Sequence, residues 1–349
     1  MIFVARIEIL KPYDNASVAL LEQVLAQRVK PVFQTNPHPL LNSNTGRKMP
    51  RAAGGLMATQ DAYEGQAWKE HPGIANVLLW CLQRIDTDAY ERLWYLVVPP
   101  TMTLLDDFEV RYKLEGIQVV AAMLERAPPD LLRRTGVADL VFASLQRSLT
   151  FLHSPSTPDV IRASVPTAVS LVLRTTQPGS ETRFNQLCAL LGDGIIGSVW
   201  MYAYQDPDAI EASVDVLPTL LEAMDIGAVR YLKAIIPQLT HPLIPNSYGT
   251  QVPGLQMASL KALLSVIRHC APRMFKWKGT LLEAVGKCWV TLLDSGKTDK
   301  VSLDQRQALR EVCVELLKAA PSAREDFDKL LSLDKLTFES LVGDKIALI

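Results

Sequence analysis

The sequence predicts an all-α chain in which a pair of helices recurs at a near-constant interval. Three observations carry that prediction. From Trp68 onward, apolar runs of 10 to 20 residues at helical spacing alternate with short breaks of Pro, Gly, Asp or Ser. Strand signals are almost missing from the same stretch. Small residues stand at Gly116, Ala163, Ala212, Ala258 and Ala308, at intervals of 47, 49, 46 and 50 residues, and an apolar series follows each. The composition supports a folded core: 48% of the 349 residues are hydrophobic and only 18 are Gly.

In chain order, the first element is an amphipathic helix over 14–30, with Val18, Leu21, Val24, Leu25 and Val29 on one face and an end near Pro31. Residues 31–65 carry Pro31, Pro37, Pro39, Gly46, Pro50, Gly54 and Gly55 with few apolar pairs, which predicts an extended strap. The chain thus reads as two regions: 1–65, a helix plus strap, and 66–349, a helical-repeat array. In the array the spacing predicts helices near 73–84, 86–98, 110–126, 136–149, 157–175, 182–190, 207–223, 226–239, 254–270, 273–294, 303–318 and 322–332. Asp86, Ser156, Asp206 and Ser302 stand at their starts as N-caps, Pro158 and Pro207 follow starts, and Pro128 and Pro272 follow ends.

The interval is visible in the letters. Asp159-Val-Ile-Arg-Ala-Ser-Val165 matches Asp208-Ala-Ile-Glu-Ala-Ser-Val214 at Asp, Ile, Ala, Ser and Val. A period of about 40–50 residues holding two helices is the mark of an α-solenoid of HEAT or armadillo type, in which a small residue lets neighbouring helices approach.

Charge and motifs exclude more than they assign. Thirty-six basic against 37 acidic residues leave a net charge of −1, unlike a polybasic nucleic-acid binder or an acidic tail. The basic–aromatic run Arg273-Met-Phe-Lys-Trp-Lys278 has no second copy and suits a turn between helices, so no nucleic-acid partner is expected. Gly192-Asp-Gly-Ile-Ile-Gly197 spells a dinucleotide-loop pattern but follows a helical stretch rather than a strand, and reads as a glycine break between two helices. Thr45-Gly-Arg-Lys48 is only a fragment of a phosphate loop. Five scattered histidines offer no metal spacing, and no serine sits in a nucleophile elbow. Asp106 and Asp107 point about 100° apart if helical, which fits a cap and ion-pair role beside Arg111 and Lys113 at a repeat junction. No catalytic residue, cofactor or metal is expected.

Five cysteines, without a CxxC pair and mostly within apolar runs, read as reduced buried thiols. Arg6 and Glu8 interrupt the first apolar stretch, and no segment reaches ~18 uncharged apolar residues, so neither secretion nor a membrane partner is expected. The expected compartment is the cytoplasm, with the nucleus second. Trp68, Trp94 and Trp277 lie beside charged or turn residues and stand either as interface anchors or as core.

One stretch carries a resemblance. Val97-Val-Pro-Pro-Thr-Met-Thr-Leu-Leu-Asp-Asp-Phe-Glu-Val-Arg-Tyr-Lys-Leu-Glu-Gly116 resembles the Pro-Pro, Leu-Asp-Asp, Arg-x-Lys-x-x-Gly core of the Tel-two-interacting protein two family, with Pro99, Pro100, Asp106, Asp107, Arg111, Lys113 and Gly116 as its motif positions. Arg134-Thr-Gly-Val137 and His153-Ser-Pro-Ser-Thr-Pro158 fit its continuation, and Arg47, Lys48, Trp68, Lys69 and Trp80 fall in stretches similar to the fungal version. The resemblance implies an α-solenoid without activity of its own, joined to the Tel-two and Tti-one homologues in the TTT complex. It further implies an indirect link to the ninety-kilodalton heat-shock chaperone and its AAA+ co-chaperone complex. Through these the assembly would mature phosphatidylinositol-3-kinase-related kinases, and with them DNA-damage and TOR signalling. Arg47, Lys48, Trp68, Lys69, Trp94 and Trp277 are then the expected interface residues. A HEAT-like transport or trafficking adaptor that binds a peptide or a small GTPase is the alternative. A dinucleotide enzyme using residues 192–197 is the third reading.

Overall fold

The computed structural model describes residues 16–35, 37–52, 65–245 and 252–343. Among them only Leu41–Asn42 (β1) and Arg47–Lys48 (β2) are extended, paired antiparallel with Leu41 opposite Lys48, and nearly all else is helical. The chain falls into two compact units, 1–183 and 184–349.

In the first unit, α1 opens at Val18–Val24 behind Ser17, whose hydroxyl accepts from Leu20 N. It ends at Phe33, two residues past Pro31. A wide helical turn, Leu25–Val29, in which Lys30 N–H reaches Leu25 O, carries it through Lys30–Phe33, and the proline, having no N–H to place, is tolerated in the first turn of that last piece. Of the strap expected over 31–65, residues 31–33 belong to this helix and 41–48 form the β1–β2 hairpin, while 36 and 53–64 lie outside the described residues. Then come α2 (Ile74–Leu82), α3 (Tyr90–Leu105), α4 (Val110–Arg126), α5 (Pro129–Arg134), α6 (Val137–Ser148) and α7 (Thr157–Thr175).

Helix α3 overruns its predicted end at 98. Pro99 and Pro100 sit inside it, and hydroxyls of Thr101 and Thr103 donate to Val97 O and Pro99 O. An interior proline costs ~3 kcal/mol. Burial of Leu93, Trp94, Val97, Met102, Leu104 and Leu105 outweighs it, at roughly 1.5–3 kcal/mol for each large apolar side chain.

The second unit shows a second overrun. Helix α8 begins at Glu181–Cys188 and continues through Ala189–Trp200 as wide helical turns, so Gly192–Gly197 is helix interior and not the expected break between helices. The glycines make room: a Cβ at Gly192 would stand 2.9 Å from the Tyr231 hydroxyl. The predicted 207–223 helix is two, α9 (Pro207–Asp215) and α10 (Leu217–Met224), and 226–239 begins as a 3₁₀ turn before α11 (Leu232–Thr240). Helices α12 (Pro253–His269), α13 (Lys278–Asp294), α14 (Lys300–Ala319), α15 (Arg324–Leu333) and α16 (Lys335–Val342) complete the unit. Of the expected caps, the Asp206 carboxylate accepts from Asp208 N and Ala209 N, whereas α14 is capped by Asp299, three residues ahead of Ser302.

Gly116 lies on α4 and Ala163 on α7, which pack together; Ala212, Ala258 and Ala308 lie on α9, α12 and α14, with α9 against α12 and α12 against α14. Within each unit, helices one sequence interval apart are therefore packed neighbours. Ser164, Ser213 and Ser259, each next to one of these alanines, are fully buried. No helix among the described residues is long and apolar enough to cross a membrane.

Candidate functional site

Sequence reasoning singles out the Pro-Pro to Gly block, and the structure folds it into a corner. Helix α3 ends at Leu105, Asp106 and Asp107 turn the chain, and α4 returns along α3 from Val110. Gly116 sits where the helices cross. A Cβ there would stand 2.4 Å from Leu105 N and 2.6 Å from Leu104 C, so backbone meets backbone and only glycine fits.

The two aspartates do different work. Asp107 is fully buried; its carboxylate accepts from Glu109 N at 2.8 Å, Gln66 Nε2 at 3.0 Å and Lys69 Nζ at 3.1 Å. The first bond closes the turn into α4, and the other two tie in the segment before α2. Asp106 faces the opposite side. Leu40 N–H donates to His38 Nδ1 at 3.2 Å, so Nε2 carries the ring hydrogen and donates to Asp106 Oδ2 at 2.9 Å. Arg147 of α6 lies 3.6 Å from the other carboxylate oxygen. Burial pushes the Asp106 pKa up, but hydrogen bonds from His38 and Ser144 and the charge of Lys113 outweigh it and hold the carboxyl below its usual range.

Of the expected cationic partners, Lys113 acts on both aspartates through its charge, while its hydrogen bond and the stacking of Arg111 go elsewhere. Arg111 stacks its guanidinium on Tyr112, and Lys113, 1% exposed, donates from Nζ to Leu105 O at 2.7 Å with its ammonium 4.4 Å from the Phe151 ring. Lys113 thus satisfies a carbonyl at the C-terminus of α3. Desolvation lowers its pKa to about 8. The true partner of Asp107 is Lys69, far away in sequence. Its Nζ also meets Glu109 Oε1 at 2.6 Å and lies 4.4, 4.9 and 5.3 Å from the ring centres of Phe108, Tyr112 and Trp68.

Two of the expected anchors are core. Trp68 is 1% exposed, stacked on Phe33 at 5.6 Å and edge-on to Tyr112 at 4.7 Å. Trp94 is buried in α3, and its Nε1 donates to the carbonyl of Gly46, whose φ of +64° makes the hairpin turn that packs on it. Large aromatics at these positions fix the hairpin and the 66–70 segment onto α1, α3 and α4. They present no surface to a partner. Trp277 is half-buried, and Arg47 and Lys48 are exposed on β2, where Lys48 N donates to Thr135 O. Pro100 is buried and Pro99 lines a crevice of about 20 Å³ with Lys30, Phe33 and Tyr95.

That crevice and another of about 130 Å³, beside Arg268, Arg310 and Glu315, fall well short of the ~300 Å³ at which ligand pockets begin. Among the described residues no group of three His, Cys, Asp or Glu could hold a metal ion. All five cysteines are free and buried, with burial raising the thiol pKa of Cys81 and Cys313 to about 12 and of Cys270 and Cys288 to about 11. What the corner does is join: residues 38, 66 and 69 are held to 106, 107 and 109 by side-chain hydrogen bonds and ion pairs. Sequence reasoning missed His38 and Gln66, because neither carries a local pattern and their partners lie 68 and 41 residues away.

A family model described as the Tti2 family matches residues 4–251, a span that contains the hairpin, the corner and α2 through α11. No solved structure matches the chain.

Proposed function

The chain belongs to the Tti2 family, the scaffold component of the TTT co-chaperone complex, and from that premise we propose that it acts without catalysis to support the maturation and stability of phosphatidylinositol-3-kinase-related kinases. Its direct partners are the Tel-two and Tti-one homologues; the heat-shock chaperone, the AAA+ co-chaperone complex and the kinases are reached through them. The helices form a HEAT-like solenoid, and the protein works in the cytoplasm and the nucleus.

The observation that carries this reading is the family match across the corner. The block that carries the resemblance goes into packing: Gly116 on a helix crossing, Asp106 and Asp107 on buried ties, Lys113 on a helix end. A scaffold needs a fixed surface more than a pocket. Affinity purification of the tagged protein at moderate salt, with stoichiometry by mass spectrometry, tests it. Near-equimolar recovery of the two other TTT subunits, with chaperone and kinases in lower yield, is expected. Recovery of transport factors in their place would replace this reading with the adaptor.

A further inference from the structure

Where α8 gives way to α9, the chain sets three large apolar side chains in water within four residues. Met201, Tyr202 and Tyr204 are 62%, 65% and 68% exposed. A single exposed apolar residue is ordinary, whereas three neighbours of this size make a patch on the order of 400 Å², the scale at which surfaces are used for contact. The backbone beneath them is fixed. Trp200 Nε1 donates to Ser213 Oγ of α9 at 2.8 Å, and Ala203, buried between the tyrosines, donates its N–H to Val199 O at 2.8 Å. Rings held out on a set backbone lose little freedom when they are covered.

The patch continues back along α8. Asp193, Gly197 and Met201 recur every fourth residue and all are exposed. Beyond the adjoining turn of its own helix, a Cβ at Gly197 would meet only the Gly192 carbonyl, so no neighbouring element stands over this part of the stripe.

The charge around the patch has one sign. Residues 184–229 hold seven Asp and Glu and no Lys, Arg or His, in a chain whose net charge is −1. Asp193 lies on the stripe and Asp208 four residues beyond Tyr204; both are exposed, and among the described residues neither is paired with a cation. Such a field repels phosphate, which sets aside an anionic membrane or a nucleic acid as the occupant, and it attracts Lys and Arg. Tyrosine rings offer the same cations their faces.

We propose that this patch is the docking site for a Lys- and Arg-bearing segment of one of the two other TTT subunits, resting on the reading above for the partner's identity and on the patch for its chemistry. The tyrosines supply the area that is covered, and the carboxylates select and steer the segment.

Binding of the purified Tel-two and Tti-one homologues to the full chain, at ~50 mM and ~500 mM salt, tests it. Tyr202→Ser/Tyr204→Ser is expected to leave the melting temperature unchanged, since both side chains stand in water, and to weaken binding about tenfold or more. Tyr202→Phe/Tyr204→Phe keeps the rings and should bind as the unaltered chain does. Asp193→Lys should weaken binding at ~50 mM salt and lose that effect at ~500 mM, while Asp294→Lys, an equal change of charge at the exposed end of α13, should have no effect. If the serine variant binds the pair as well as the unaltered chain does, the proposal falls and the TTT reading stands; if the unaltered chain binds neither subunit, both fall. Tighter binding by Asp193→Lys, or equal effects of Asp193→Lys and Asp294→Lys, also overturns the proposal, as does a solution dimer that the serine variant abolishes. Should the serine variant not fold, the comparison of Asp193→Lys with Asp294→Lys decides.

Discussion

Gly116 shows how far one residue can set the geometry around it. Its α-carbon faces the backbone of Leu104 and Leu105, so a methyl group cannot be absorbed by a side-chain rotation. Gly116→Ala is expected to cost about 1–3 kcal/mol, the price of overpacking a close contact, read as a lower midpoint in urea. Gly286→Ala is the control of opposite sign: it sits mid-helix in α13, and its Cβ would meet only Phe338, at 3.9 Å, an ordinary contact. A gain of about 0.5–1 kcal/mol is expected there, from helix propensity alone. Lys113 makes a prediction in pH. Its pKa falls to about 8 in the folded chain from 10.5, so the unfolded chain holds more protons between those values and stability rises with pH across that window. Denaturant midpoints at pH 7.5 and 10 should differ in this direction, and Lys113→Met should remove that part of the difference. The motif residues were legible in the sequence as a block, while their roles were not: Asp107 looks toward Lys113 by spacing, and only the fold brings Lys69 to it.

At the scale of elements, the corner between α3 and α4 depends on a buried carboxylate rather than on loop preference. Asp107→Lys would set an ammonium against Lys69 and remove the acceptor for Glu109 N and Gln66. A loss of about 3–5 kcal/mol is expected, the cost of breaking a buried pair, seen as a lower melting temperature and reduced capture of the other TTT subunits. Unchanged values in both would mean that the corner tolerates a reversed charge. Element types were legible nearly everywhere in the described residues, because the apolar spacing of α4, α6, α7, α12 and α14 is set by packing against neighbours. Ends were less so. Pro31, Pro99 and Pro100 and the glycines of 192–197 are local stop signals, and in each case burial on both sides of the signal carried the helix through. Breakers report a local cost, whereas continuation is decided by the apolar surface of the whole helix.

For the whole molecule, the near-balance of charge and the wealth of buried apolar residues describe a chain that gives its sequence to packing. Four of its cysteines, with thiols raised to about 11 or 12, should follow that pattern. Native protein at pH 7.5 is expected to leave Cys81, Cys270, Cys288 and Cys313 unalkylated by iodoacetamide over an hour, and urea-unfolded protein to react at all four, as mass spectrometry of the digests can count. The recurrence of small residues at helix contacts was legible in the letters because packing distance is a local demand repeated on each helix; the ties between distant segments were not, because each is made once. Those ties have a consequence for how the chain is made. His38 leaves the ribosome 68 residues ahead of Asp106, which at ~5–20 residues per second is a wait of several seconds. Until α3 and the corner after it have emerged, the hairpin lacks Trp94 and Asp106 to fasten to and Trp68 has Phe33 but not Tyr112, so apolar surface stands open in the nascent chain. A protein assigned to a chaperone pathway thus has, during its own synthesis, an interval in which it presents what chaperones bind.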